Sequence, residues 1–135
     1  MKKVVLILSL SLLIVVGSLR LTGCATAPPS PPKPGVPRIS GLVVPKIVSL
    51  GQPFPISFQF EDSEADITTV VLTYEWGPTG SESHSYDARI FGEASGTCKT
   101  KGFAGKLPDI FYLSVYVKDT KGNRSNILRT SIFTK

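Results

Sequence analysis

Residues 54, 56, 58 and 60 are Phe, Ile, Phe and Phe, and between and after them stand Pro55, Ser57, Gln59 and Glu61. No other feature restricts this chain as much. A period of two gathers large apolar side chains on one face of a strand, whereas on a helix it would scatter them around the axis. The same period recurs at Val70, Leu72, Tyr74 and Trp76 against Val71, Thr73 and Glu75. It recurs again at Phe111, Leu113, Val115 and Val117 against Tyr112, Ser114, Tyr116 and Lys118. Beyond Pro37 no long window places apolar residues three and four apart, so helix is not expected there. Weaker strands are expected over 83–91 and 95–103, and a last one over 126–134. The first strand is read over 39–44 and 46–50, broken by Pro45. Proline cannot donate to a ladder, so this strand suits a sheet edge.

Turn-forming residues separate these runs: Gly51-Gln52-Pro53, Gly77-Pro78-Thr79-Gly80, Gly92, Gly105 and Asp119-Thr120-Lys121-Gly122-Asn123. About seven short strands with turns roughly every 8–12 residues is the rhythm of a two-sheet sandwich. The 98 residues from 38 to 135 suffice for one small domain with its own core. The segment 107–125, LPDIFYLSVYVKDTKGNRS, resembles the F strand, F–G turn and early G strand of bacterial Ig-like and fibronectin type III domains. The resemblance implies an all-β fold, a single Ig-like/fibronectin III-like β-sandwich over 38–135. It says nothing of function. The chain departs from those families at the corner tyrosine whose hydroxyl bonds back to the chain. In register that position is Phe111, and Tyr112 faces the other way. The Ig disulfide is absent as well, so the core must rest on apolar packing.

The front of the chain has a different character. Met1-Lys2-Lys3 is followed by VVLILSLSLLIVV over 4–16, then by Gly17, Ser18, Leu19, Arg20 and Leu21-Thr22-Gly23-Cys24. This is the layout of a secretory signal. The uncharged run, 4–19, is shorter than the ~20 residues of a membrane-spanning helix. LTGC resembles the lipobox of bacterial lipoproteins. The resemblance implies a signal peptide over 1–23, removed by cleavage, and a lipidated Cys24 as the first mature residue. Each buried CH₂ contributes ~0.8 kcal/mol, so two or three chains hold a protein at a membrane. Ala25, rather than Asp, follows Cys24, which by the same resemblance favours the outer membrane in a Gram-negative host. Cys24 is followed by ATAPPSPPKPGVP over 25–37, with six prolines in thirteen residues. Together they make a lipidated, Pro-rich linker over 24–37. It is semi-rigid at ~3.1 Å per residue and reaches roughly 40 Å.

Removing Lys2, Lys3 and Arg20 with the signal lowers the basic count from 15 to 12, against 10 acids, a net charge of about +2. No basic stripe with interleaved aromatics remains, so a nucleic-acid partner is not expected. Cys98 is left as a lone thiol: one reading is a buried small hydrophobe, the other a bridge to another molecule or a reactive thiol with its pKa lowered by Lys99 and Lys101.

Candidate chemistry is sparse. Asp62, Glu64 and Asp66 alternate after the clearest strand, and the sandwich topology would bring Asp119 and Asn123 near them. These carboxylates are weak candidates for Ca²⁺, which takes six to eight oxygens; no metal site is assigned. His84 is the sole histidine, and on a strand Ser83 and Ser85 point away from it. No nucleophile, base and orienter set is evident, and a non-enzymatic role without cofactors is expected. Trp76, Tyr74, Tyr86, Tyr112 and Tyr116 could form a sugar- or protein-binding face. The resulting expectation is a membrane-anchored interaction or accessory module of the cell envelope. Its partner would be an envelope protein or polysaccharide. The alternative is a Ca²⁺- or glycan-binding surface lipoprotein.

Overall fold

The computed structural model describes residues 33–107 and 109–135. The signal peptide, Cys24, most of the Pro-rich linker and Pro108 lie outside the described residues. Among the described residues there are eight strands: β1 (Arg38–Val43), β2 (Ile47–Val48), β3 (Pro53–Glu61), β4 (Ile67–Trp76), β5 (Gly80–Asp87), β6 (Ser95–Phe103), β7 (Ile110–Asp119) and β8 (Leu128–Thr134). They form a three-stranded sheet, β1-β3-β6, and a five-stranded sheet, β2-β8-β7-β4-β5. In immunoglobulin lettering these are A-B-E and A′-G-F-C-C′, so the fold is an Ig-like sandwich.

The two sheets close on the alternating residues. Phe54, Ile56, Phe58 and Phe60 of β3 face Val70, Leu72 and Tyr74 of β4, together with Phe111, Leu113, Val115 and Val117 of β7 and Ile132 of β8, all buried. Cys98 lies opposite Phe58 in the β3–β6 ladder and is buried among them. Small inward residues on β6 make room for the rings of β3. Gly102 pairs with Phe54, and a Cβ added there would stand 2.4 Å from the Phe54 ring and 2.9 Å from Cδ1 of Ile56. That is why β6 shows only a faint pattern in sequence.

The first strand differs from its sequence reading. Pro45 does not merely interrupt it. The segment before Pro45, β1, pairs with β3, and the segment after it, β2, runs parallel to β8 in the other sheet. Both pieces are edges, as the proline requires, but of different sheets. The strand expected over 83–91 stops at Asp87. Residues 88–94 cross to the other sheet with Ala88 and Ile90 buried, and Arg89 takes a left-handed φ of 53°. The Asp87 carboxylate accepts the Arg89 N–H (3.0 Å) and so steadies that turn.

The five-stranded sheet is wider than the three-stranded one, and this sets up the rest of the molecule. β5 is hydrogen-bonded only to β4, and β6 only to β3. The inward side of β5 therefore overhangs. Glu82, His84 and Tyr86 occupy positions paired with Tyr74, Leu72 and Val70. They stand where a covered strand would carry aliphatics. The chain enters the sandwich at the opposite end, where Asn123 Nδ2 donates to the Gly35 carbonyl (3.4 Å) and Gly35 lies against Glu64.

Candidate functional site

At the end where the chain enters, the loops 62–66 and 119–123 come together, as the sandwich topology implies. Each of their carboxylates is bonded through at least one oxygen to the chain itself. Asp62 is buried, and its two oxygens accept the N–H groups of Glu64 (3.2 Å) and Asp66 (2.9 Å). That turn holds Ala65 at a left-handed φ of 55°. Asp119 is buried too, and accepts the Asn123 N–H and Nδ2–H, both at 2.7 Å. Asp66 Oδ2 accepts the Thr120 hydroxyl, while its Oδ1 is buried without a hydrogen-bond partner. Glu64 pairs with Lys121, whose ammonium is pushed up by that hydrogen bond. Among the described residues no group of three or more His, Cys, Asp or Glu could hold a metal ion. Asp62 and Asp119 each close their own loop, while Asp66 and Glu64 fasten the 62–66 loop to Thr120 and Lys121 of the other.

The aromatic residues do not form one face. Tyr74 is buried, which corrects its place among surface candidates. Its hydroxyl accepts the N–H of Phe103 on β6 (3.2 Å), a bond from one sheet to the other. Burial pushes this phenol from its ordinary 10.0 up to about 12. Phe111 is buried where the corner tyrosine would stand and has no hydroxyl to bond back to the chain; the Tyr74–Phe103 bond is a separate link between the sheets. Tyr112 and Tyr116 lie on the outer face of the five-stranded sheet, as their register requires. Arg129 covers Tyr112 at 4.4 Å and Arg124 covers Tyr116 at 4.8 Å, both measured to the ring centroid. Farther along the outer face, Ile47, Phe133 and Ile110 stand side by side across β2, β8 and β7, all exposed.

Trp76 and Tyr86 are brought to a third place. They line an open cleft of about 380 Å³ with Glu82, His84, Phe103 and residues 104–107, Lys106 among them. The overhang of β5 forms one wall and the end of β6 the other. The indole of Trp76 lies against Gly80, its partner across the hairpin. A Cβ at Gly80 would stand 2.2 Å from Nε1, so only glycine lets the ring lie there. His84 is edge-on to Tyr74 (5.8 Å, 72°) and stacked with Tyr86 (6.2 Å, 29°). Its Nε2 is 2.8 Å from Glu82 Oε1, with both side chains about half exposed. His84 is therefore a wall of the cleft and not a freely exposed polar residue. Ser83 stands on the other face of β5, within hydrogen-bond distance of Thr73 Oγ1 (2.8 Å). Cys98 is remote from this chemistry. Burial pushes its thiol from 9.0 up to about 11, and its neutral S–H faces the Ala88 carbonyl (3.9 Å). An S–H held neutral by burial is a poor nucleophile.

Sandwich topology alone assigns the turn Gly77–Ser81 and the segment near Lys106 to the end away from the acidic loops, but nothing in the sequence joins them to Phe103 or sets Gly80 under the Trp76 ring. They belong to the cleft only because two strands distant in sequence end side by side.

No family model matches the chain, and no curated protein matches it. Solved structures do. The alkylpurine DNA glycosylase AlkC of Pseudomonas fluorescens, bound to DNA with an abasic-site analogue, matches over 73% of this chain. Its TM-score is 0.50 at 14% identity, and the match covers only 30% of the glycosylase chain. A Niemann-Pick type C2 protein from the Japanese carpenter ant has the same TM-score at 11% identity, covering 76% of this chain and 96% of its own. The PKD domain of an M14-like peptidase from a Thermoplasmatales archaeon is similar over 75% of this chain and 94% of its own, with TM-score 0.41 at 14% identity. At such identities the likeness is one of fold alone.

Proposed function

We propose that this chain is a lipid-anchored lipoprotein of the cell envelope, and that its Ig-like domain is a non-enzymatic interaction module. The anchor rests on LTGC after a short apolar run, with Cys24 as the lipidated residue. The interaction role rests on one observation. The cleft with partly exposed aromatic and polar groups lies in the half of the sandwich away from the point where the chain enters. A domain lifted off a membrane by a proline-rich spacer then holds its bound partner, an envelope protein or polysaccharide, on the outward side. By the lipobox resemblance and Ala25, the outer membrane is the favoured address in a Gram-negative host.

Two measurements test the two halves. Mass spectrometry of protein extracted from bacterial membranes should find an N-terminal peptide beginning at a diacylglycerol-modified Cys24, and Cys24→Ser should abolish it. An unmodified N-terminus elsewhere would refute the anchor. Capture from solubilised envelope should retain a partner with the wild-type domain and lose it with Tyr86→Ala, while Tyr112→Ala on the outer face behaves as wild type. Equal capture by all three would refute the cleft as the interaction site.

A further inference from the structure

We infer that the cleft between β5 and the end of β6 is a saccharide-binding site, taking one or two pyranose units of an envelope polysaccharide. This inference deepens the interaction-module reading and rests on it.

The chemistry of the lining carries the argument. A pyranose has one face of C–H groups and a rim of hydroxyls, so it needs an aromatic plane and, beside it, both donors and acceptors. The cleft supplies these together. Trp76 is a ring whose position is fixed by the absent side chain of Gly80. Tyr86 and Phe103 are 37% and 54% exposed, so both rings are open to a ligand in the cleft. Glu82 accepts hydrogen bonds, Lys106 donates them, and His84 does either, all from the same lining. The volume of about 380 Å³ falls at the small end of the range for ligand pockets, which suits a mono- or disaccharide unit and not a folded partner element.

Other occupants fit less well. An acyl chain would bury the Glu82–His84 pair without replacing its water hydrogen bonds, a substantial desolvation cost. A phosphate-bearing ligand would meet the Glu82 carboxylate with Lys106 as the lining's one permanent cation. A sugar satisfies both signs with neutral hydroxyls. The pair is also held in place before any ligand arrives, by the row of rings from Tyr74 through His84 to Tyr86. Little ordering therefore remains for binding to impose.

The protein carries its own reporter, because Trp76 is its only tryptophan. The full mature chain, in detergent, is screened on an oligosaccharide array of hexose, N-acetylhexosamine and uronic acid chains. Array hits, or otherwise one representative of each chain type, are then titrated by tryptophan fluorescence. The expected result is saturable binding of at least one oligosaccharide with a blue shift or quench of Trp76. Tyr86→Ala should weaken that binding about tenfold or more. Gly80→Ala keeps every lining side chain but displaces the indole, and should weaken it as well. Tyr112→Ala should leave it unchanged. Far-UV circular dichroism and a melting curve show that each variant is folded. If no member of the panel perturbs Trp76, or if Tyr86→Ala and Gly80→Ala bind as wild type, the saccharide assignment is overturned. A protein partner captured through the cleft with no sugar response would leave the interaction module standing and remove only the sugar. An unlipidated N-terminus with intact sugar binding would do the reverse.

Discussion

The two ends of the sandwich use polar residues in opposite ways. Where the chain enters, Asp62 and Asp119 are buried and turned onto backbone N–H groups, and the exposed Glu64 is held by Lys121. In the other half, Glu82, His84 and Lys106 line an open cleft beside three aromatic rings. The first end is conspicuous in sequence and is structural. The second is inconspicuous, and it is the half in which we place the proposed binding cleft. A cluster of acids in a loop reports first on how that loop is closed. Side chains left over for a partner are found where one sheet outgrows the other.

The contrast can be tested by breaking each region in turn. The largest effect should come from the core on which both ends depend. Phe58 is 1% exposed and no disulfide supports it, so Phe58→Ala should cost ~3–5 kcal/mol, enough to unfold a domain of this size. Urea denaturation checks this, and a midpoint close to wild type would mean that the register of β3 is wrong. Next, Asp62→Ala removes a carboxylate that accepts two backbone N–H groups, and should cost about 2–3 kcal/mol. Ligand binding in the cleft should survive it at temperatures where the variant is folded. If Asp62→Ala abolished cleft binding in the folded variant, the two ends would not be independent.

A smaller loss is expected at the far end. Tyr74→Phe leaves the Phe103 N–H without its acceptor and should cost about 1–2 kcal/mol. The pH dependence identifies the cause. Burial raises the Tyr74 phenol from 10.0 to about 12 in the folded state. Its contribution is therefore complete below pH 10 and lost as pH climbs from 10 to 12. The buried Cys98 thiol, raised from 9.0 to about 11, loses its share between pH 9 and 11. Stability should fall steadily above pH 9. Tyr74→Phe should flatten the upper part of that fall, and a profile identical to wild type would contradict the buried hydroxyl bond. The smallest effect belongs to Lys121→Met. It removes a solvent-exposed ion pair with Glu64 and should leave the melting temperature unchanged within error.

How much of this was legible in the sequence depended on what each strand is covered by. β3, β4 and β7 were readable because their inward faces are fully buried and carry large side chains, from Phe54 to Phe60 and from Phe111 to Val117. β5 was faint because its inward side overhangs and holds Glu82, His84 and Tyr86. β6 was faint because Gly96 and Gly102 yield their space to phenylalanines across the ladder. The switch of the first strand between sheets left only Pro45 as a trace, and that proline fits an edge of either sheet. The pairing of loops 62–66 and 119–123 followed from the Ig-like resemblance. Which atoms their carboxylates hold did not, because that depends on local turn geometry. The cleft was beyond reach, since Trp76 and Phe103 meet only through the relative width of two sheets.

The proposed function requires the cleft end to point outward and the acidic end, where the chain enters, to face the anchor. Spin labels at Ser63, in the acidic loop, and at Thr79, in the β4–β5 turn beside the cleft, report this directly on liposomes carrying the lipidated protein. Thr79 should lie farther from the bilayer than Ser63. If Ser63 lies farther out, the linker folds back on the domain, the cleft faces the membrane, and the outward-facing module is wrong.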